Sequence, residues 1–514
     1  MRDIVATIQP EQDELVRADL ADSICVQGAP GTGKTAVGLH RAAYLLYLHR
    51  ERLRRSGVLI VGPNRAFLSY IAAVLPALGE VEVEQATVED LVTRVPVGAV
   101  DHPAVATLKH DVRMAKVLRR AVDAHIGAPT EPIMVSDGSF RWRIGLDPLH
   151  RVVEETRREG LPYATGRDRV RARVVGLAAT PGRGAPGRVT QRRLAAPDGQ
   201  GPAGHRLPGR GLAGAHPGGA GAHAARRPAG ARRRRRRAAH GGGAGAAGRR
   251  GTTGRTGTKL GRTPRTTKWT AADAVLIDEA AGLMERPGGF GHVVVDEAQD
   301  LSPMQCRAIA RRSEHGSITL LGDLAQGTAP WAATDWRESL THLGKPDAVV
   351  VPLSVGFRVP AAVVAFANRL LPALAVDVPA ARSLRRDGAL DVRTVTDLDA
   401  ATVAEVRAAL AHDGSVGVIA ADDAVDRLRA ALAAAGVPTA TADDVETAER
   451  VTVVPATLVK GLEYDHVVVV EPAAIVAAEP RGLHRLYVVL TRAVSRLAVL
   501  HTAPLPAPLT DPAG

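Results

Sequence analysis

The chain has 514 residues, 45% of them hydrophobic, which allows about three domains with real cores. Two cysteines, Cys25 and Cys306, exclude a disulfide framework and point to a reducing cytosol; with no apolar run near the ~20 residues that cross a bilayer and no basic, then apolar, N-terminal leader, the chain reads as soluble and cytoplasmic. The formal charge is +12, but residues 178–268 hold 21 Lys or Arg against one acid, Asp198, and elsewhere 45 basic groups face 53 acidic ones, so the basicity is no footprint of nucleic-acid binding by folded domains.

The first element is an apolar run, Ile24-Cys25-Val26, leading into Gly28-Ala29-Pro30-Gly31-Thr32-Gly33-Lys34-Thr35, with a helix-like stretch from Ala36 to Leu48. The loop fits G-x-x-x-x-G-K-[ST] at every fixed position. Strand, glycine loop and helix form the setting in which this pattern cradles phosphate. The glycines let backbone N–H groups converge on a polyphosphate, and the helix N-terminus adds partial positive charge there. Lys34 is expected to reach the β- and γ-phosphates of ATP, and Thr35 to hold Mg2+. Val58 to Val61 reads as a second buried strand. Residues 85–177 read as a helical insertion, with Val105 to Ile126 and Pro148 to Glu159 as helices.

Residues 178–268 contain 22 glycines, the run Arg232 to Arg237, and five large aliphatics: Val189, Leu194, Leu207, Leu212 and Leu260. Ordering such a stretch costs on the order of 100 kcal/mol. Burying five aliphatics returns only about 10 kcal/mol. The segment is therefore expected to be disordered. Three readings stand for it: a basic linker touching nucleic acid, an inert linker, or a stretch translated out of frame in a G/C-rich gene.

Two later stretches look like strands ending in acids. One is Ala274-Val-Leu-Ile-Asp278-Glu279; the other is His292-Val-Val-Val-Asp296-Glu297-Ala298-Gln299-Asp300. The second has a β-branched run suited to a doubly covered parallel strand, with a polar loop after it. It is the expected acid pair: Asp296 holds Mg2+, and Glu297 orients and deprotonates the attacking water. The first pair is expected to be a surface feature before a short helix. Ile318 to Leu321 is the next buried strand, and its polar exit places Gln326 where it can sense the γ-phosphate. Beyond it, Val416 to Ala420, Val451 to Pro455 and Val467 to Val470 read as strands, with helices near Ala361 to Leu371 and Ala424 to Ala435.

Taken in order, these segments resemble the UvrD/Rep group of superfamily 1 helicases, over residues 8 to about 100 and 270 to about 502. Ile8-Gln-Pro-Glu-Gln12 resembles the Q motif, whose final glutamine reads adenine. Val61-Gly-Pro63-Asn64-Arg65 stands where motif Ia touches the nucleic-acid backbone. Gly322-Asp-Leu-Ala-Gln326 with Trp331 resembles motif III, where an aromatic stacks on a base. Leu353-Ser-Val-Gly-Phe-Arg358 resembles motif IV, whose arginine reaches the γ-phosphate. Thr457-Leu-Val-Lys-Gly-Leu-Glu463 resembles motif V, which places Thr457 on nucleic acid and Glu463 on nucleotide. Val488-Val-Leu-Thr491-Arg492 resembles motif VI, with a second arginine finger.

The resemblance implies an α/β P-loop NTPase with two RecA-like lobes, parallel sheets covered by helices, and ATP in the cleft between them. The expected division is lobe one at 1–84 and 269–345, an insertion at 85–177 followed by the disordered 178–268, lobe two at 346–505, and a disordered tail at 506–514. The wording of Gly322 to Trp331 and of Leu353 to Pro360 is similar to actinobacterial HelD-type (HelR-like) proteins, ATPases that release and recycle stalled RNA polymerase. RNA polymerase is thus the expected partner. The family's N-terminal coiled-coil arm is expected to be missing, because the chain begins 27 residues before Gly28. Alternatives are a 3'-5' helicase or translocase on single-stranded DNA in repair, and a relic that binds ATP without working. The short spacing from Arg358 to Thr457 counts against processive unwinding.

Overall fold

The computed structural model describes residues 9–74, 83–137, 140–179, 267–313, 315–441 and 449–510. The expected disorder of 178–268 lies outside the described residues, save for its two outermost residues at each end. The strands of the first half are β1 (Ile24–Gly28), β2 (Val58–Gly62), β3 (Glu84–Thr87), β4 (Ile133–Asp137), β5 (Phe140–Ile144), β6 (His292–Val295), β7 (Ser317–Gly322) and β8 (Val349–Leu353). Two short strands follow, β9 (Val355–Gly356) and β10 (Arg382–Ser383). The second half adds β11 (Ala389–Thr394), β12 (Val416–Ala420), β13 (Val451–Pro455), β14 (Tyr464–Val470) and β15 (Ala493–His501).

The architecture is α/β, with two parallel sheets, each covered by helices. The first runs β3-β2-β6-β7-β1-β8 and the second β11-β15-β14-β12-β13. β1, β2, β6 and β7 are buried along their whole length, which explains their near-continuous apolar runs. The expected strands are present, most of them longer by one to three residues, except the run Ala274 to Ile277. In a parallel sheet the carboxyl ends line up, and a ligand crevice forms beyond them. Here β7 lies between β1 and β6. The exit of β7 therefore sits between the glycine loop and the acids.

Several boundaries differ from expectation. β8 pairs with β1, so the first lobe runs through Leu353 instead of ending at 345. β3 adds an edge strand to the same sheet. The insertion is not wholly helical, because β4 and β5 form an antiparallel hairpin. Val105 to Ile126 is two helices, Pro103–His110 and Arg113–His125: the Asp111 carboxylate accepts from the Arg113 amide at 2.8 Å and starts the second. Both pack on helix Ala271–Met284 of the first lobe. The hairpin and helices Leu146–Arg158 and Tyr163–Ala179 share a small core of their own: Ile144, Leu149, Val152 and Val174. The helix from Ala361 stops at Asn368, short of the turn containing Pro372. The expected disordered tail contains a helical turn, Ala507–Thr510, with Leu509 buried; residues 511–514 lie outside the described residues.

The first acid pair is neither a strand end nor a surface feature. It lies within helix Ala271–Met284, whose start is fixed by a capping box between Thr270 and Asp273. Asp278 and Glu279 are buried and ion-paired: Asp278 with Arg94, Arg311 and Arg312, Glu279 with Arg307 and Arg311. Four apolar residues before an acid suit a helix as well as a strand, so the run alone left the element ambiguous. Nearby, Val97 and Trp269 form a parallel bridge, and the amides of Gly98 and Ala99 donate to the Trp269 carbonyl at 2.9 and 3.1 Å. The chain thus leaves the first lobe and returns to it at one point.

Candidate functional site

Gly28 ends β1, and helix Lys34–Leu48 begins five residues beyond the next alanine. The loop between them is tight. Gly31 and Gly33 have φ of 75° and 78°, a region that suits glycine. A Cβ at Gly28 would lie 2.8 Å from the Thr32 hydroxyl and 3.0 Å from Lys34 Cβ. Thr32 donates its hydroxyl to the Ala29 carbonyl at 2.8 Å, which closes the curve around Pro30. Gln12 donates from Nε2 to the Thr32 carbonyl at 2.8 Å, so the glutamine assigned to adenine touches this loop.

Across the sheet, the Thr35 hydroxyl donates to Asp296 Oδ2 at 2.6 Å. Hydroxyl and carboxylate are the hard oxygen donors that Mg2+ prefers. Among the described residues no group of three His, Cys, Asp or Glu could hold a metal by itself. A cation here would therefore need further oxygens, which a triphosphate supplies. Burial, then the neighbouring Glu297, pushes the Asp296 carboxyl up. Burial would also raise Glu297, but Lys460, Lys34 and Arg492 outweigh it and hold that carboxylate down. Glu297 has φ of 53°, a left-handed backbone that costs a non-glycine residue about 1–3 kcal/mol. The strained turn is held by the Glu297 amide donating to Asp296 Oδ1 at 2.7 Å.

Gln326, also buried, sits in the helical turn Leu324–Gln326. Its Nε2 donates to Asp323 Oδ2 at 2.9 Å, and its Oε1 accepts from Arg492 Nη2 at 3.0 Å. Arg492 belongs to the second lobe, at the end of helix Gly482–Leu490. Arg358 follows β9 and lies against the glycine loop: a Cβ at Gly31 would be 3.2 Å from Arg358 Cβ, and the Phe357 amide donates to the Gly31 carbonyl at 3.0 Å. Arg358 Nη1 pairs with Glu463 at 2.6 Å. One crevice thus gathers Gly28 to Thr35, Asp296, Glu297, Gln326, Arg358, Glu463 and Arg492.

The residues assigned to nucleic acid are less united. Pro63, Asn64, Arg65 and Thr457 are exposed. Asn64 faces Gly461 of the other lobe, where a Cβ would lie 3.7 Å from Asn64 Nδ2. Arg65 pairs with Asp90 at 2.9 Å, and the Thr457 hydroxyl donates to Asp422 at 2.6 Å. Trp331 is partly buried. Its indole N–H donates to the Asp300 carbonyl at 2.9 Å, and the His110 ring packs on it with centroids 3.9 Å apart. One flank of the indole is therefore occupied.

Sequence reasoning missed three polar residues that build the floor and the seam. Gln27 donates to Asp323 at 2.9 Å and accepts from the Leu324 amide and from Trp336 Nε1. Gln299 donates to Glu297 at 2.6 Å and accepts from the Asp323 amide. Lys460 crosses from the second lobe to Asp300 and, at 3.2 Å, to Glu297. Burial alone would lower its pKa, but the two acids outweigh burial and keep it charged. A polar Gln27 inside an otherwise apolar strand was the one signal available.

No protein-family model and no curated protein matches the chain. Among solved structures, the C-terminal domain of a possible DNA helicase from Lactobacillus plantarum is similar at 22% identity, over 30% of this chain and 92% of that one, with a TM-score of 0.24. Arterivirus nonstructural protein 10, a helicase, is similar at 18% identity, over 42% of this chain and 40% of that one, with a TM-score of 0.24. Among the described residues no helix is long and apolar enough to cross a membrane.

Proposed function

We propose that this chain is an ATP-hydrolysing motor of the superfamily 1 helicase type. The observation that carries the reading is the convergence of Lys34, Thr35, Asp296 and Glu297 from one lobe with Arg492 from the other, through Gln326. Lys34 and the loop amides bind the β- and γ-phosphates, and Gln12 reads the base. Thr35 and Asp296 hold Mg2+, which when bound offsets phosphate charge. Glu297 accepts a proton from the attacking water as the bond from the γ-phosphorus to the bridging oxygen breaks and ADP leaves. Arg358 and Arg492 stabilise the charge that develops on the transferring group, a role worth about 10³–10⁵ in rate. Because Arg492 comes from the second lobe, closure and hydrolysis are linked.

The site is tested by ATPase assay of the wild type and Lys34→Ala. Turnover that vanishes in the variant supports the motor; no turnover in either protein, with ATP still bound in a nucleotide titration, makes the chain an ATP-binding relic.

For the partner, we infer RNA polymerase, from the HelD-like wording of Gly322 to Trp331 and Leu353 to Pro360. The anchoring of Trp331 by Asp300 and His110 favours this over base stacking in a single-strand translocase. Retention of core RNA polymerase on the immobilised chain supports the inference. No retention, together with ATPase stimulation by oligo(dT), supports the DNA reading instead.

A further inference from the structure

The turn after β7 is held from the second lobe at three consecutive residues. His484 Nδ1 lies 2.9 Å from the Ala325 carbonyl. Lys460 Nζ donates to the Gln326 carbonyl at 3.2 Å. Arg481 Nε donates to the Gly327 carbonyl at 2.7 Å. Arg492 takes the Gln326 side chain itself. Gly327 leaves room for this approach, since a Cβ there would lie 3.3 Å from Arg481 Nη2.

Arg481 and His484 also fix one another. Arg481 Nη2 lies 3.2 Å from His484 Nε2. A guanidinium only donates, so Nε2 must accept, which leaves the proton on Nδ1 facing the Ala325 carbonyl. Burial, then the Arg481 charge, lowers the His484 pKa and keeps the ring in that neutral form. The two side chains thus act as one two-pronged donor.

The gripped turn is the junction between three parts of the crevice. Upstream, Gln326 Nε2 donates to Asp323 Oδ2 at 2.9 Å, and Asp323 is fixed to β1 by Gln27. Downstream, the Thr328 and Ala329 amides donate to Asp300 Oδ1 at 2.7 and 2.9 Å, and the Trp331 indole donates to the Asp300 carbonyl. Asp300 in turn pairs with Lys460. A shift of this turn would move Gln326 away from Arg492 and loosen the loop that carries Glu297.

We propose that Arg481 and His484 are positioning residues, which lock residues 324–327 to the second lobe so that Gln326 and Arg492 reach the nucleotide together. The proposal rests on the ATPase reading. Neither residue touches a phosphate-binding group, so their effect should fall on turnover.

The test pairs steady-state ATPase kinetics with amide hydrogen exchange, on the full chain carrying Arg481→Ala with His484→Ala. Misplacement at this scale predicts a kcat about tenfold to a hundredfold lower. KM for ATP should stay within about threefold. Exchange at Ala325 to Thr328 should rise, while Ile318 to Leu321 of β7 stays protected. His484→Asn, which keeps a donor near Nδ1, should restore most of the rate to the His484→Ala single variant. Wild-type turnover with an unchanged kcat or unchanged exchange at the turn in the double variant overturns the positioning role alone. So does a loss of β7 protection, which would mark a merely structural contact. No turnover in the wild type overturns the ATPase reading, and the positioning role with it.

Discussion

Two acid pairs, Asp278–Glu279 and Asp296–Glu297, share their chemistry and differ in their surroundings. The first is met by Arg94, Arg307, Arg311 and Arg312, all within the first lobe. The second faces Lys34 from its own lobe, and Lys460 and Arg492 from the other. Relative motion of the lobes leaves the first pair's environment unchanged. It alters the second pair's directly. An acid whose counter-charges lie across the seam between lobes would sense a shift of one lobe against the other; one neutralised within its lobe can only hold that lobe together.

The sharpest way to break this contrast is Arg492→Ala. Turnover should fall by about 10³-fold or more with ATP affinity little changed, read by ATPase assay and nucleotide titration. A variant with full rate would leave no functional difference between the pairs. Glu297→Gln should come next, slowing hydrolysis by about 10²–10⁴-fold while nucleotide still binds. Asp278→Asn should do the opposite. It should cost about 3–5 kcal/mol in denaturant unfolding, because it leaves buried arginines short of a partner, with kcat per folded molecule intact. Burial would raise the Asp278 carboxyl, but Arg312 and Arg311 outweigh it and hold it below the usual range. The stability this group adds is present above its unfolded pKa of about 4 and drains as pH falls toward its lower folded value. The deficit of Asp278→Asn should therefore shrink in acid. The smallest effect belongs to Gly282→Ala, whose Cβ would lie 2.4 Å from Arg311 Cδ. Displacing Arg311 should cost about 1–3 kcal/mol and leave kcat unchanged.

Much of the fold was readable because the central strands of both sheets are buried. Such strands must be apolar, and their ends must carry the glycine or acids that face the crevice, as at Gly28, Asp296 and Asp323. Edge strands obey no such rule. β3 reads Glu-Gln-Ala-Thr and is half exposed, so nothing in its sequence announced a strand. β8 was apolar but mostly exposed, and only its pairing with β1 assigns it to the first lobe. Helix Ala271–Met284 was misjudged because Ala274 to Ile277 would satisfy either element. Within the crevice, the ordered spacing of short segments pointed to Lys34, Asp296, Glu297 and Arg492. Lys460, Arg481 and His484 gave no such signal, since a surface lysine, arginine or histidine has the same letters. Only the approach of the two lobes tells them apart.

The bridge joining Val97 to Trp269 makes the first lobe a socket. Beyond the two helices that pack on Ala271–Met284, chain hanging from that socket can be lengthened or trimmed for about 0.6 kcal/mol per doubling of loop length. An evolving gene is thus free to fit new attachments there while the lobe beneath them keeps its shape.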